Sequence, residues 1–178
     1  MPLRTVLLIV WGAFWVFWLV AATGAKRGSR TTMARAPGLL ILLTFLLLRI
    51  FKTDASAIHS VALQVIGVIV FAAGLGLAVW ARLHLGRDWG MPMTRKDEPH
   101  LVTSGPYRFI RHPVYSGLLL AVLGMALAAN LYWLIALAIM GAYFVYSATV
   151  EERLMTEAFP VAYPGYRTHT KMLIPFLF

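Results

Sequence analysis

Arg111 and His112 stand directly before Pro113, and further along Glu151 and Glu152 follow a long apolar run. Two adjacent carboxylates can accept hydrogen bonds from hydroxyl or ammonium groups, take up a proton, or pair with a cation. Arg111 and His112 offer the complement, donors for a carboxylate or phosphate. Pro113 suits the first turn of a helix, whose free N–H groups and positive dipole end would lie beside both donors. Plainer readings compete. Arg108 and Arg111 could be charges flanking a membrane span, His112 a polar cap, and the two glutamates a solvated helix end. Against the last, acidic groups at membrane depth are costly and are as a rule paired or functional.

Several chemistries are excluded or disfavoured. There is no cysteine, hence no disulfide, thiolate zinc site, iron–sulfur ligation or cysteine nucleophile. G-x-G-x-x-G, G-x-x-x-x-G-K-[ST], H-E-x-x-H and G-x-S-x-G are all missing. His59, His84, His100, His112 and His169 lack ligand spacing, so no metal is expected. Sixteen Lys and Arg against seven Asp and Glu give a net charge of +9. Those charges fall between apolar runs, which points to an anionic lipid surface and not to nucleic acid.

The elements that must position these groups are membrane helices. Of the 178 residues, 60% are hydrophobic and 13% charged, against about 25% charged in soluble domains. Uncharged or nearly uncharged runs predict spans at 5–23, 37–51, 57–81, 113–129 and 131–150. Only Ala129-Asn130 joins the last two, which predicts an antiparallel hairpin. Ala72/Gly76 and Gly74/Ala78 are small-xxx-small pairs that permit close helix contact. Lys26, Arg27, Arg30 and Arg35, and the basic residues of 82–112, mark cytoplasmic loops. Five spans then put the N-terminus outside and the C-terminus inside, with 82–117 and 151–178 on one cytoplasmic side. The long stretch 82–112 carries Trp89, Met91, Met93, Tyr107 and Phe109, and is expected to fold against the helix ends as a lid or re-entrant element. The expected fold is therefore all-α: a polytopic membrane protein of about five transmembrane helices with a long cytoplasmic loop and a C-terminal helix. Residues 1–82 form its lipid and substrate side and 83–178 its site, in one integrated domain.

His100-Leu101-Val102-Thr103-Ser104-Gly105-Pro106-Tyr107, then Arg111-His112-Pro113-Val114-Tyr115-Ser116-Gly117, resembles the isoprenylcysteine carboxyl methyltransferase family and its phospholipid methyltransferase relatives. Glu151-Glu152-x-Leu154, with Phe159, Tyr163, Tyr166 and Pro175-Phe176, and Leu85-Gly86-Arg87-x-Trp89 extend the likeness over roughly residues 80–178. The resemblance implies S-adenosylmethionine bound by this half and released as S-adenosylhomocysteine. It implies a pocket lined by His100, Leu101, Gly105, Tyr107, Arg111, His112, Tyr115, Gly117, Glu151 and Glu152, of which Arg111, His112 and Glu152 would bear on catalysis. The donor's carboxylate would suit Arg111, His112 and the helix N-terminus; its ribose hydroxyls and amino group would suit Glu151 or Glu152; its adenine could pack on Tyr107 or Tyr115. The acceptor would be lipophilic: an isoprenylcysteine carboxylate, a phospholipid amine or a small thiol. Two departures stand out. Pro160 occupies a position where glycine is usual. Ser147-Ala-Thr-Val fills the turn where an arginine is expected in the eukaryotic carboxyl-methylating branch.

Two other readings differ in kind. A membrane reductase of the sterol-reductase type would hold NADPH, whose pyrophosphate and 2′-phosphate ask for more cations than one carboxylate does, and adjacent glutamates argue against it. A transporter or assembly protein would show polar or broken residues at mid-membrane. Thr44 and Gln64 are the notable ones, and each is expected to bond to a neighbouring helix or its own backbone.

Overall fold

The computed structural model describes residues 2–22, 28–30, 57–90, 93–96 and 99–174. Five helices carry it: α1 (Leu3–Ala22), α2 (Val61–Leu85), α3 (Pro113–Ala128), α4 (Trp133–Ala158) and α5 (Ala162–His169). Among the described residues, α1, α2 and α4 are long and apolar enough to cross a membrane, and α3 is a shorter apolar helix. The expected second span, 37–51, lies outside the described residues. The all-α expectation needs one amendment: Gly28–Arg30 and Thr94–Lys96 (β1 and β2) pair antiparallel and tie the first basic loop to the long one.

Helix α3 is the central element. At 16 residues it is about 24 Å long, short of a hydrocarbon core of about 30 Å. It does not need to meet lipid along its length, because α2 and α4 cover most of it. Residues Gly67, Phe71, Gly74 and Ala78 of α2 meet Ala128, Gly124, Ala121 and Gly117 of α3, so the helices run antiparallel with their backbones close together. A Cβ on Gly74 would lie 2.3 Å from the Ala121 amide nitrogen. Contact this close gives dispersion attraction along both helices, the force that remains when lipid is as apolar as leucine. The contact uses Gly74/Ala78 from the expected small-residue pairs but not Ala72/Gly76, since Ala72 is exposed and a Cβ on Gly76 would meet nothing within 4 Å.

Helices α3 and α4 form the expected hairpin. Tyr115 near the start of α3 stacks on Phe144 near the middle of α4, with ring centroids 4.5 Å apart. At the opposite end of the bundle the Ile58 N–H donates to the Ala129 carbonyl at 3.2 Å. There Gln64 donates from Nε2 to the Ile58 carbonyl at 2.7 Å, so this polar residue is satisfied locally, as expected.

An aromatic row docks α1. Trp11 packs against Phe71 and Trp133, with centroids 5.7 and 6.3 Å away, and Trp18 meets Trp89 edge-on at 5.7 Å. The Arg82 guanidinium lies over Trp89, 4.5 Å from the ring centroid. It donates to the Gly86 carbonyl at 2.8 Å and to the Ala21 carbonyl. A buried cation thus sits where α1 and α2 both end, and the negative ends of two helix dipoles stand in for a carboxylate. That compensation lets α2 continue through Arg82 to Leu85, four residues beyond the expected boundary, so the long loop begins at Gly86.

Candidate functional site

Helix α4 does not stop at residue 150, as hydropathy suggested, but runs to Ala158, so Glu151 and Glu152 belong to the helix and not to a tail leaving it. Antiparallel packing brings this end of α4 to the start of α3. The two glutamates, Arg111 and His112 therefore meet at one end of the bundle.

Each contact has a defined partner. Arg111 Nε donates to Glu152 Oε1 at 2.7 Å, and its Nη1 donates to the Thr170 carbonyl and, at 3.5 Å, to that of Arg167. His112 lies between the carboxylates, with Nδ1 3.4 Å from Glu151 Oε2 and Nε2 3.6 Å from Glu152 Oε1. It is the N-cap residue of α3, but its side chain makes no capping bond and turns to the glutamates instead. Buried Nε2 has no hydrogen-bond partner. Glu151 Oε1 accepts from the Tyr115 hydroxyl, from Ser147 Oγ at 3.3 Å and from the Met93 N–H at 3.0 Å. That last bond anchors the long loop at Met93, a buried residue in the left-handed region with φ 56°. Glu152 Oε2 lies 3.4 Å from Arg167 Nε.

A strap of extended chain closes the cluster. The Arg111 N–H donates to the Lys171 carbonyl at 2.8 Å, and the His112 N–H to that of Met172 at 3.1 Å. The Ser116 hydroxyl donates to the Leu173 carbonyl. The Tyr166 hydroxyl donates to the Tyr107 carbonyl, which holds α5 over the turn Gly105–Arg108, and burial pushes that hydroxyl's pKa up to about 12.

Five of the ten pocket residues expected from sequence form the cluster: Arg111, His112, Tyr115, Glu151 and Glu152. The other five lie around it with local partners of their own. His100 is exposed, with Nδ1 3.1 Å from Asp88 Oδ1, and Leu101 beside it is half-buried. Gly105 has φ 59° and lies under His84, whose ring a Cβ there would strike at 2.7 Å. Tyr107 is buried and its hydroxyl points to the Ala81 carbonyl. Gly117 belongs to the α2–α3 contact.

The structure differs from the sequence expectation in two ways. Tyr115 is 7% exposed and already stacks on His112 and Phe144, so it offers no face for adenine. Arg111 is bonded to Glu152 and to the strap, so the carboxylates and cations of the cluster touch directly. Opposite charges in a poorly hydrated site collapse onto one another, which explains the contact. Sequence reasoning missed Ser147, Arg167 and the Met93 amide. The four-residue spacing from Ser147 to Glu151 would have flagged Ser147, had the helix been extended past residue 150.

Burial disfavours the charged form of His112, but the hydrogen bonds and negative charge of Glu151 and Glu152 outweigh it, so its pKa lies above the ordinary histidine value. A raised folded-state pKa stabilises the fold fully below the unfolded-state value, and that contribution is lost as pH rises through the folded-state value. The melting temperature of the detergent-solubilised protein should therefore fall from neutral to mildly alkaline pH. His112→Gln should flatten that slope; an unchanged slope would show that the imidazole is uncharged.

Comparison with known proteins bears on the family and the fold. A family model described as phospholipid methyltransferase matches residues 63–162, more than half of the chain. A solved eukaryotic intramembrane Ras methyltransferase, an isoprenylcysteine carboxyl methyltransferase, has a similar fold, with a TM-score of 0.59 at 23% identity. The match covers 82% of this chain and 52% of that one, so the chain spans about half the length of that structure. No curated protein sequence matches.

Proposed function

Because the chain belongs to the phospholipid methyltransferase family, we propose that it moves a methyl group from S-adenosylmethionine to a lipophilic acceptor at the end of the bundle where Arg111, His112, Glu151 and Glu152 meet. The observation that supports this most is the composition of that cluster: two carboxylates, two arginines and a histidine, drawn from the loop before α3, the end of α4 and α5. The donor is a zwitterion bearing a sulfonium, and it needs acceptors for its ammonium and hydroxyls beside donors for its carboxylate. The cluster supplies both, and His112 Nε2 is a buried donor without a hydrogen-bond partner.

When bound, the sulfonium supplies an electrophilic methyl group. The chain's part is alignment and exclusion of water. Glu151 and Glu152 would hold the ammonium and ribose hydroxyls, and Arg111 would keep Glu152 in place. The strap 170–173 and the Met93 anchor close the site from the polar side. An acceptor that is already anionic, a carboxylate or thiolate, needs no proton removed; an ammonium headgroup must first lose one. Glu151, Glu152 and His112 are the titratable groups of the cluster that could take it. The basic loops put this face in the cytoplasm, and apolar acceptors would reach it sideways between helices.

Calorimetry on detergent-solubilised protein tests the reading. S-adenosylhomocysteine should bind and NADPH should not, and labelled methyl should appear in a lipid, prenyl-cysteine or thiol fraction. Binding of NADPH alone would replace the methyltransferase with a reductase.

A further inference from the structure

Two arginines border Glu152, and they differ in what else they do. Arg111 is 7% exposed at its side chain and is bonded to Glu152 and to two carbonyls of the α5 end. Arg167 is 59% exposed at its side chain, with Glu152 as its ion partner through Nε. A guanidinium has five N–H donors, so most of those on Arg167 remain for a ligand. Arg167 also lines a cleft of about 380 Å³ between the last turns of α4 and α5, together with Thr156, Pro164 and Thr168. That volume falls in the lower part of the range for small-molecule sites, about 300–1,000 Å³. The Thr156 hydroxyl donates to the Glu152 carbonyl and the Thr168 hydroxyl to that of Gly165, each at 2.7 Å; Thr168 Oγ1 also meets His169 Nδ1 at 2.9 Å, and Thr156 Oγ1 keeps its acceptor side.

We propose that this cleft seats the amino-acid end of the methyl donor, with Arg167, and not Arg111, holding its carboxylate and Glu152 its ammonium. The proposal rests on the donor reading above and adds to it a location and a residue. Arg167 lines the cleft and Glu152 lies directly behind it, 3.4 Å away, so one positive and one negative group stand side by side at the cleft wall. An α-amino acid presents the same two charges with the signs exchanged. Docking replaces one ion pair with two and leaves no charge uncompensated, whereas using Arg111 would require breaking its 2.7 Å bond to Glu152 and releasing the strap.

Binding by calorimetry separates the possibilities, using S-adenosylhomocysteine and its decarboxylated analogue on wild-type protein and on R167Q and R167K. Wild-type protein should bind the carboxylate-bearing compound about tenfold tighter or more. R167Q should lose that preference and bind the decarboxylated analogue as wild type does, while R167K should retain part of it. Arg167 is exposed, so both variants should melt as wild type does. T168W, which fills the cleft, should weaken both compounds. If R167Q keeps the wild-type preference, the cleft assignment is wrong while the donor reading stands. If wild-type protein binds neither compound, the donor reading falls and takes this proposal with it.

Discussion

Glu152→Ala is expected to abolish binding of S-adenosylhomocysteine and to lower thermal stability at the same time. Glu152 is 4% exposed and faces two guanidinium groups and an imidazole: Arg111 Nε at 2.7 Å, Arg167 Nε at 3.4 Å and His112 Nε2 at 3.6 Å. Removing one member of a buried ion pair leaves its partner desolvated and uncompensated, which costs about 3–5 kcal/mol. Here the group left behind is Arg111, which also bonds the strap carbonyls, so α5 and residues 170–173 should loosen together. Glu152→Gln separates the two effects. The amide keeps the volume and can still accept from Arg111, so the variant should be extractable and folded. It lacks the charge that would meet an ammonium group, so affinity for the donor product should fall roughly a hundredfold, about 3 kcal/mol. Wild-type affinity in folded Glu152→Gln would remove Glu152 from the site.

Gly74→Leu should prevent assembly altogether. The added Cβ would sit 2.3 Å from the Ala121 nitrogen and 2.6 Å from the Gly117 carbonyl oxygen, both backbone atoms that no rotamer change can move. The helices would have to separate along their shared length, losing the dispersion contact that holds them together in lipid. No monodisperse protein should survive detergent extraction. Gly76→Ala is the matched control two residues away, where a Cβ meets nothing within 4 Å. It should be neutral or stabilising by up to about 1 kcal/mol through helix propensity. Equal behaviour of the two variants by size-exclusion chromatography would contradict the packing described here.

These comparisons show where the sequence was readable. Pro113 marks the start of α3 because its fixed φ and missing N–H fit only a first turn or a break. The ends of α2 and α4 were misplaced for a shared reason. Hydropathy sees Arg82 and Glu151-Glu152 as charges that must leave the membrane. In the fold each is compensated by groups distant in sequence, the Ala21 carbonyl for Arg82 and the Arg111–His112 pair for the glutamates, so the helices continue through them. Small-residue spacing showed that α2 could pack closely, but only the partner decides which stripe is used. The Arg–His and Glu–Glu pairs were readable as a candidate cluster because their types are costly in lipid. The strap was not, because its bonds come almost entirely from backbone atoms, which every residue carries. Arg167 was hidden by its surroundings: one more cation in a basic segment has no signature until α5 turns it toward Glu152.

The strap also divides assembly into two parts. The four apolar helices of the described chain end at Ala158, so they can pair before residues 170–173 dock. Arg111 then has Glu152 but lacks its carbonyl partners, and the backbone N–H groups of Arg111 and His112 await those of Lys171 and Met172. Integration into the bilayer and maturation of the charged end are thus separate stages. A chain halted between them would be correctly threaded but inert, and a bulky fusion placed directly after Leu173 would interfere with the second stage alone.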